Sequence, residues 1–156
     1  DELVRRRWRK LDILELNEAG TLSPLLQSHA GHVLGCYPEV DMQAMPYPDA
    51  SFDLVVHSDT LEHVPDPIKA LSECRRVLRP GGACCFTVPI VVGRLGRRRD
   101  GLPPSWHGEP STSQDDWRVQ TEYGADAWCE VLQAGFSRVG LNAVAYPCAI
   151  AMSAVR

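Results

Sequence analysis

Short apolar runs alternate with amphipathic segments over residues 11–88. Four of these runs predict β-strands, and they lie at residues 11–16, 32–36, 52–58 and 83–88. Between them, residues 21–28 and 66–79 repeat apolar side chains three and four positions apart, which is the spacing of one helix face. Adjacent Val55 and Val56 indicate a strand that is buried on both faces. This order predicts an α/β fold in which a doubly wound, mostly parallel sheet lies between two helical layers.

The second half of the chain is less regular. Residues 91–120 are rich in Gly, Pro, Arg and Asp and show no periodicity, so we predict a long loop that serves as a lid or binding loop or is partly disordered. Periodicity returns at residues 123–134, which predict a helix that ends at Gly135. Residues 139–145 and 149–155 then predict a closing pair of strands that supplies an antiparallel strand to the sheet.

The composition is that of an ordinary globular protein. The 156 residues are 44% hydrophobic and 23% charged, which predicts a single domain over residues 1–156. The uncharged stretch over residues 83–93 is interrupted by Pro89 and is too short to cross a bilayer, so we expect no membrane span. The net charge of -4 argues against nucleic acid as a partner. Arginine runs at residues 5–7 and 97–99 are more often a solvated face than a set of phosphate contacts.

The six cysteines form neither a CxxC pair nor a zinc-like cluster with histidine in the sequence. We therefore expect no metal site and predict a reducing, cytoplasmic setting. Cys84 and Cys85 are neighbours in a predicted strand, so their side chains should face opposite sides of the sheet as small buried hydrophobes.

Three segments should meet at one edge of the predicted sheet. In an open parallel sheet the ligand lies beyond the carboxyl ends of the strands, near the point where the strand order reverses. Residues 15–21 follow the first strand, residues 41–42 follow the irregular stretch after the second, and residues 58–63 follow the third. We expect a ligand-binding cleft between these segments.

Four motifs in this region carry a resemblance to a known family. They read FDLVV at residues 52–56, LEHVPDP at 61–67, RVLRPGG at 76–82 and AGF at 134–136. In order and spacing they resemble the motifs of class I S-adenosylmethionine-dependent methyltransferases. The resemblance extends over residues 11–155 and implies a Rossmann-like fold, S-adenosylmethionine as cofactor, and methyl transfer to a small-molecule or lipid-like acceptor.

The resemblance also implies which residues hold the cofactor. Its first-strand acidic residue is Glu15, and its glycine turn falls on Asn17, Ala19 and the neighbouring Gly20. Only Gly20 keeps glycine, and each added Cβ restricts positive φ, although Asn tolerates left-handed geometry better than most residues. Ser58 would line the sulfonium side of the cofactor.

The adenosine end depends on residues 36–42 of this chain. The position at which the family places a ribose-binding carboxylate falls on an uncharged pair, and Glu39 is the nearest acidic residue. Asp41 and Met42 resemble the pair that addresses the adenine, while the alternative for Asp41 is a turn-forming role. The connection over residues 37–40 is short, so that either a helix of the family is absent there or residues that belong there are missing.

Three residues are candidates for catalysis. Asp59 and His63 follow the third strand, and His107 lies in the long loop beside Trp106 and Gly108. Methyl transfer from a sulfonium needs alignment above all, and it needs a base only when the acceptor must lose a proton. His63 has a structural alternative as part of the entry to the next helix, and His107 has one in ordering the loop. Aromatic residues that form either an acceptor wall or core are Trp106, Trp117 and Tyr123.

A rival interpretation stays open beside the methyltransferase. It is a catalytically inactive relative that keeps the fold as a binding or scaffold protein, and the altered glycine turn is its support. A nicotinamide-dependent dehydrogenase would need GxGxxG after the first strand, which this chain lacks.

Overall fold

The computed structural model describes residues 8–106, 117–145 and 149–156, without the side chains of Val144 and Ala149. Its strands are β1 Ile13–Leu16, β2 His32–Gly35, β3 Phe52–Ser58, β4 Leu78–Thr87, β5 Ile90–Val91, β6 Arg97–Arg98, β7 Thr121–Gly124, β8 Arg138–Ala145 and β9 Ala149–Val155. Its helices are α1 Ser23–Gln27, α2 Pro67–Val77 and α3 Trp128–Gln133, and 3-10 turns span Gly20–Leu22 and Leu61–His63.

Six strands form the central sheet in the order β2-β1-β3-β4-β9-β8. β1 pairs in parallel with β2 on one side and β3 on the other, and β3 pairs in parallel with β4. β9 is antiparallel to both of its neighbours, β4 and β8. The predicted doubly wound, mostly parallel sheet with an antiparallel closing strand is therefore confirmed. The strand order reverses at β1, so the ends of β1 and β3 are where a cleft is expected.

Helices cover both faces of this sheet and confirm the three-layer arrangement. Along β1, Leu14 and Leu16 point into the larger core cluster, which α2 and α3 complete with Leu71 and Val131. Ile13 points to the other face, where it packs in a smaller cluster with Leu26 of α1. All four residues of β1 are buried, as a central strand between two apolar layers requires.

Helix α2 begins where the sequence predicts. The Asp66 side chain accepts a hydrogen bond from the Lys69 backbone N–H at 3.0 Å, and Pro67 occupies the first helical position. The helix ends at Val77, two residues before the predicted end, because β4 begins at Leu78. Residues 80–82, which separate the predicted helix from the predicted strand, instead belong to β4 and lie in a register shift, where Phe52 pairs with Leu78 and Leu54 with Ala83.

The predicted helix over residues 123–134 is wrong in its first part. Thr121–Gly124 is strand β7, and only Trp128–Gln133 is helical. β7 is the middle strand of a second, three-stranded sheet, where it pairs in parallel with β5 and antiparallel with β6. A Cβ on Gly124 would lie 2.3 Å from the Arg94 carbonyl oxygen, so this position tolerates only glycine.

Ion pairs hold the described part of the predicted loop over residues 91–120 against β7. Glu122 on β7 forms ion pairs with Arg94, Arg97 and Arg99. Arg98 donates a hydrogen bond to the Thr121 hydroxyl at 2.9 Å. The arginines at 97–99 thus have ion-pair or hydrogen-bond partners, and Arg97 and Arg98 are also exposed to solvent. The run at 5–7 lies outside the described residues.

The connection after β2 is a tight turn. The Val40 N–H donates to the Cys36 carbonyl at 2.8 Å, and the described chain runs through residues 37–40 without a helix. Both alternatives for this connection, an absent helix or missing residues, stay open. Among the described helices, none has the length and apolar character needed to cross a membrane.

Candidate functional site

A cleft of about 640 Å³ opens at the carboxyl ends of β1 and β3. This size lies in the ordinary range of small-molecule and cofactor sites. The cleft is lined by Asn17, Glu18, Tyr37, Val40, Asp41, Met42, Gln43, Ser58, Asp59, Thr60, His63, Val64, Pro65, Trp117 and Gln120. The three segments that the sequence placed at this edge of the sheet therefore each contribute to one cavity.

The loop after β1 forms one wall of the cleft. Asn17 has a positive φ of 49°, and its N–H donates to the Gly35 carbonyl at 3.0 Å. Its side-chain Oδ1 accepts the Tyr37 N–H at 2.9 Å, which ties the loop to the turn after β2. Asparagine thus adopts the left-handed geometry expected at this turn position, and Gly20 does so with a φ of 56°.

Glu15 does not face the cleft. It is fully buried, and its carboxylate accepts the Ala19 N–H at 2.7 Å and contacts His32 Nε2 at 2.6 Å. Burial opposes its ionisation, but hydrogen bonds from Ala19, Ser23 and His32 outweigh that effect, so the pKa of Glu15 is lowered from its usual value. Glu15 therefore shapes the loop that bears Asn17, while Ala19 is buried and Gly20 does not line the cavity.

Asp41 and Met42 line the opposite wall. Asp41 Oδ1 accepts the Gln43 N–H at 2.8 Å, so the side chain does form the turn that the alternative interpretation proposed. It also borders the cavity, and both roles are compatible in one residue. Met42 is 4% exposed and supplies apolar surface there, whereas Glu39 is exposed outside the cavity lining.

Hydroxyl and carboxylate side chains at the ends of β3 and β4 form the floor of the cleft. Asp59 has a positive φ of 46°, and its N–H donates to the Thr87 carbonyl at 3.0 Å. The Ser58 hydroxyl donates to Asp59 Oδ2 at 3.1 Å and lies 2.8 Å from the Thr87 hydroxyl. These contacts fix the Asp59 carboxylate at the cavity.

His63 is held between two protein groups at the edge of the cleft. Its Nδ1 lies 3.2 Å from the Arg118 carbonyl oxygen, which can only accept, so Nδ1 is the donor. Its Nε2 lies 3.7 Å from Glu62 Oε1. The Gln120 N–H donates to the Glu62 carbonyl at 2.7 Å, so residues 118–120 are fastened to the turn that carries His63.

The Glu62 side chain is buried, with 1% of the residue's surface exposed. Burial raises the pKa of Glu62 to about 7, and the nearby Asp59 carboxylate adds to the rise. A carboxyl with this pKa exchanges its proton near neutral pH, directly beside the His63 ring. The motif LEH thus places a carboxyl with a raised pKa beside His63, which lines the cavity.

The aromatic candidates divide between wall and core. Trp117 lines the cavity and is 44% exposed. Tyr123 is buried and donates its hydroxyl to Glu130 at 3.0 Å, and burial raises the pKa of Tyr123. Trp106 is partly exposed and forms a bridge with Arg118, outside the cavity lining. His107 lies outside the described residues.

Sequence reasoning missed several lining residues. Glu18 and Thr60 follow the ends of β1 and β3, so their distance from the strand ends was a usable signal. Gln120 carries no such signal, because it reaches the cleft only through the contact of its segment with Glu62. The other lining residues not singled out were Tyr37, Val40, Gln43, Val64 and Pro65.

Comparisons with known proteins agree with this architecture. A family model described as "Methyltransferase domain" matches residues 21–86. A probable S-adenosylmethionine-dependent methyltransferase of Mycolicibacterium smegmatis is 41% identical over 68 residues, covering 40% of this chain and 26% of that protein. A malonyl-[acyl-carrier protein] O-methyltransferase of Erwinia billingiae is 40% identical over 63 residues, covering 40% of this chain and 25% of that protein. The chain thus spans about a quarter of the length of these two relatives.

Among solved structures, the Burkholderia thailandensis 1,6-didemethyltoxoflavin-N1-methyltransferase superposes with a TM-score of 0.63 at 17% sequence identity. The superposition covers 99% of this chain and 75% of that one. The Burkholderia structure contains bound 1,6-didemethyltoxoflavin and S-adenosylhomocysteine. This likeness concerns the fold, which agrees with the sheet order described above. In sequence over residues 21–86 and in fold, the chain is therefore similar to S-adenosylmethionine-dependent methyltransferases.

Proposed function

We propose that the cleft binds S-adenosylmethionine and that the protein transfers its methyl group to a small-molecule or lipid-like acceptor. The observation that carries the proposal is the open cavity between the Asn17 loop and Asp41, where the sheet order reverses. A collapsed loop at this position would have favoured the inactive scaffold instead. Its volume of about 640 Å³ suits a nucleoside-sized ligand and part of an acceptor.

The charge of the cleft supports the same cofactor. Carboxylates of Glu18, Asp41 and Asp59 line the cavity, and its described lining contains no lysine or arginine. S-adenosylmethionine carries a positive sulfonium and a positive ammonium, both of which favour an acidic environment. Met42 and Val40 give the adenine an apolar surface on the Asp41 side.

The residues of the chain act mainly by alignment. When bound, S-adenosylmethionine supplies a methyl group on a good sulfur leaving group, so an oriented acceptor reacts without further activation. Asp59, fixed by the Ser58 and Thr87 hydroxyls, orients the cationic end of the ligand. His63, which lines the cavity, takes a proton from those acceptor atoms that must lose one.

The acceptor side lies toward Trp117 and the segment over residues 91–120, which we propose acts as a lid. Trp117, Val64 and Pro65 provide apolar contact surface at that side of the cavity. The matched Erwinia protein is named for a malonyl group on acyl-carrier protein and the Burkholderia protein for a toxoflavin precursor. By analogy, we propose a small organic acceptor in a reducing, cytoplasmic setting.

Calorimetric titration with S-adenosylhomocysteine tests the cofactor site. We expect micromolar binding by the wild-type protein, and the absence of binding heat would favour the scaffold alternative. Asp41→Ala should weaken binding about tenfold or more, or by about 1.4 kcal/mol. Asp41→Asn keeps the oxygen that forms the Gln43 turn but removes the charge, so it separates the two roles of Asp41.

The two Asp41 variants distinguish a charge contact with the ligand from a role in the turn. Weak binding by both variants supports a charge-dependent contact, whereas full affinity of Asp41→Asn assigns Asp41 to the turn alone. Asp100→Asn is the matched control, because Asp100 is exposed and outside the cavity lining. For the loop, His107→Ala with intact cofactor binding and undiminished turnover would remove His107 from the reaction.

A further inference from the structure

The interior below the cleft contains a histidine without hydrogen bonds. His57 is 1% exposed, and neither Nδ1 nor Nε2 has a hydrogen-bond partner within the described part of the chain. Its ring stacks on Phe86 with 4.6 Å between centroids and an interplanar angle of 18°. A buried imidazole without partners costs stability, so a native protein normally satisfies such a group or uses it.

Two thiols lie beside this ring. Cys74 projects from α2 and Cys84 from β4, and both are fully buried. A ring nitrogen of His57 and the two Sγ atoms all lie within 4.8 Å of one another. The sequence predicted no metal site because these residues follow no ligand motif, and only the pairing of β3 with β4 under α2 brings them together.

We propose that His57, Cys74 and Cys84 form a binding site for one soft metal ion, monovalent copper, inside the protein core. Thiolates are donors that Cu(I) prefers among protein groups, and imidazole also binds copper. Zinc almost always takes four ligands in structural sites, whereas these residues provide three in a region closed to water. Cu(I) is satisfied by three soft ligands in a planar arrangement.

Both thiols bind the ion as thiolates, so binding of Cu(I) would release two protons to the solvent while the ligands are accessible during folding. The buried His57 ring has no hydrogen-bond partner within the described part of the chain, so a ring nitrogen is available as the third ligand.

The site lies directly under the floor of the cleft. His57 precedes Ser58 at the end of β3, and Phe86 precedes Thr87 at the end of β4. An ion bound between β3, β4 and α2 would therefore brace the strand ends that carry the Asp59 carboxylate. We expect a stabilising ion rather than a reacting one, and this proposal does not depend on the methyl-transfer function.

The test is an anaerobic copper-binding measurement on the whole chain. Because the ligands are buried, the protein is unfolded in guanidinium with a reductant and refolded with Cu(I), and the native protein is titrated in parallel. A chromophoric Cu(I) chelator competes in both experiments. We expect the refolded protein to retain one equivalent of copper and to melt at a higher temperature than the copper-free protein.

Three cysteine variants assign the ligands. Cys74→Ala and Cys84→Ala should each lose the bound copper and the rise in melting temperature. Cys85→Ala should keep both, because Cys85 is the next residue on the opposite face of β4 and lies outside the cluster. X-ray absorption on the wild-type protein should show one nitrogen and two sulfur ligands, and this measurement does not depend on a variant that folds.

Several results would overturn the proposal. They are retention of copper by Cys74→Ala or Cys84→Ala, loss of copper in Cys85→Ala alone, or a refolded wild-type protein that yields all its copper to the chelator. Binding of zinc with four ligands under the same conditions would refute the assignment to copper.

Discussion

Replacing Glu62 with glutamine should remove a pH-dependent loss of stability. Glu62 is 1% exposed, and burial raises its pKa to about 7 from a usual value of 4.5. The folded protein therefore holds a proton on this carboxyl up to about pH 7, while the unfolded chain releases it near pH 4.5. Where the folded state binds more protons than the unfolded state, the free energy of unfolding decreases as the pH rises.

The size of the effect follows from the shift. A pKa difference of about 2.5 at about 1.4 kcal/mol per pH unit corresponds to about 3 kcal/mol. This stabilisation is present at pH values below 4.5 and is lost as the pH rises to 7, above which the folded protein carries a buried carboxylate. Glutamine has a similar shape and no titration, so the Glu62→Gln variant should gain about 3 kcal/mol over the wild type across that interval.

Urea unfolding of both proteins, followed by tryptophan fluorescence and circular dichroism, measures the difference at each pH. The range from about pH 5 to about pH 8.5 covers most of the titration. His57 shifts in the opposite direction, but it is present in both proteins, so its contribution cancels in the difference. Glu18→Gln is the control, because it removes an exposed carboxylate at the same cleft instead of a buried one.

A difference between Glu62→Gln and wild type that stays constant within about 0.5 kcal/mol over this range would refute the reasoning. It would mean that the carboxyl titrates in the folded protein as it does in the unfolded chain. A difference that falls with pH would contradict the sign of the shift.

Three further changes test packing and capping, each measured by urea unfolding. Gly124→Ala should cost about 2 kcal/mol or more, since the new Cβ would meet the Arg94 carbonyl oxygen at 2.3 Å, whereas Gly93→Ala should be nearly neutral in open space. Equal stabilities of these two variants would contradict the close approach at β7. Asp66→Ala should lower the free energy of unfolding by about 1 kcal/mol through loss of the α2 cap. An unchanged free energy of unfolding would show that water takes over the hydrogen bond from the Lys69 N–H. Leu71→Ala should cost about 2 to 5 kcal/mol, because this side chain is fully buried; a loss below about 1 kcal/mol would indicate a loosely packed core.

The central sheet was readable from the sequence because its strands are short and apolar on both faces. Val55 and Val56 in succession are both buried in β3, as a parallel strand between two helical layers requires. The start of α2 was equally clear, since Asp66 and Pro67 supply a side-chain acceptor and a fixed φ at its first positions. Each of these signals is local and needs no knowledge of distant contacts.

The errors arose where a distant contact overrides the local pattern. Residues 80–82 read as a turn, yet β3 pairs with β4 on both sides of them and absorbs them in an irregularity. Tyr123 shares a helical spacing with the residues after it, but it lies in β7, which pairs with β5 on one side and β6 on the other. Neither partner strand has an apolar pattern long enough to recognise in the sequence.

In the candidate site, too, residues with a local sequence signal were predicted, and residues positioned by distant contacts were not. Six predicted residues reach the cleft because they follow strand ends, namely Asn17, Asp41, Met42, Ser58, Asp59 and His63. Glu15 was assigned to the ligand, but strand alternation turns its side chain to the α1 face, where it holds the loop. Gln120 could not be found, since its position depends on a hydrogen bond to a residue 58 positions earlier.

The paired contacts of Arg118 with His63 and of Gln120 with Glu62 have a consequence for the two sides of the cleft. They anchor residues 118–120 to the turn after β3, so the Trp117 side of the cavity is tied to the Asp59 side. Residues 92–106 have no such attachment to that turn among the described hydrogen bonds. Under the proposed function, sequence change in residues 92–106 would alter which acceptors enter, while the turn after β3 would keep its contacts.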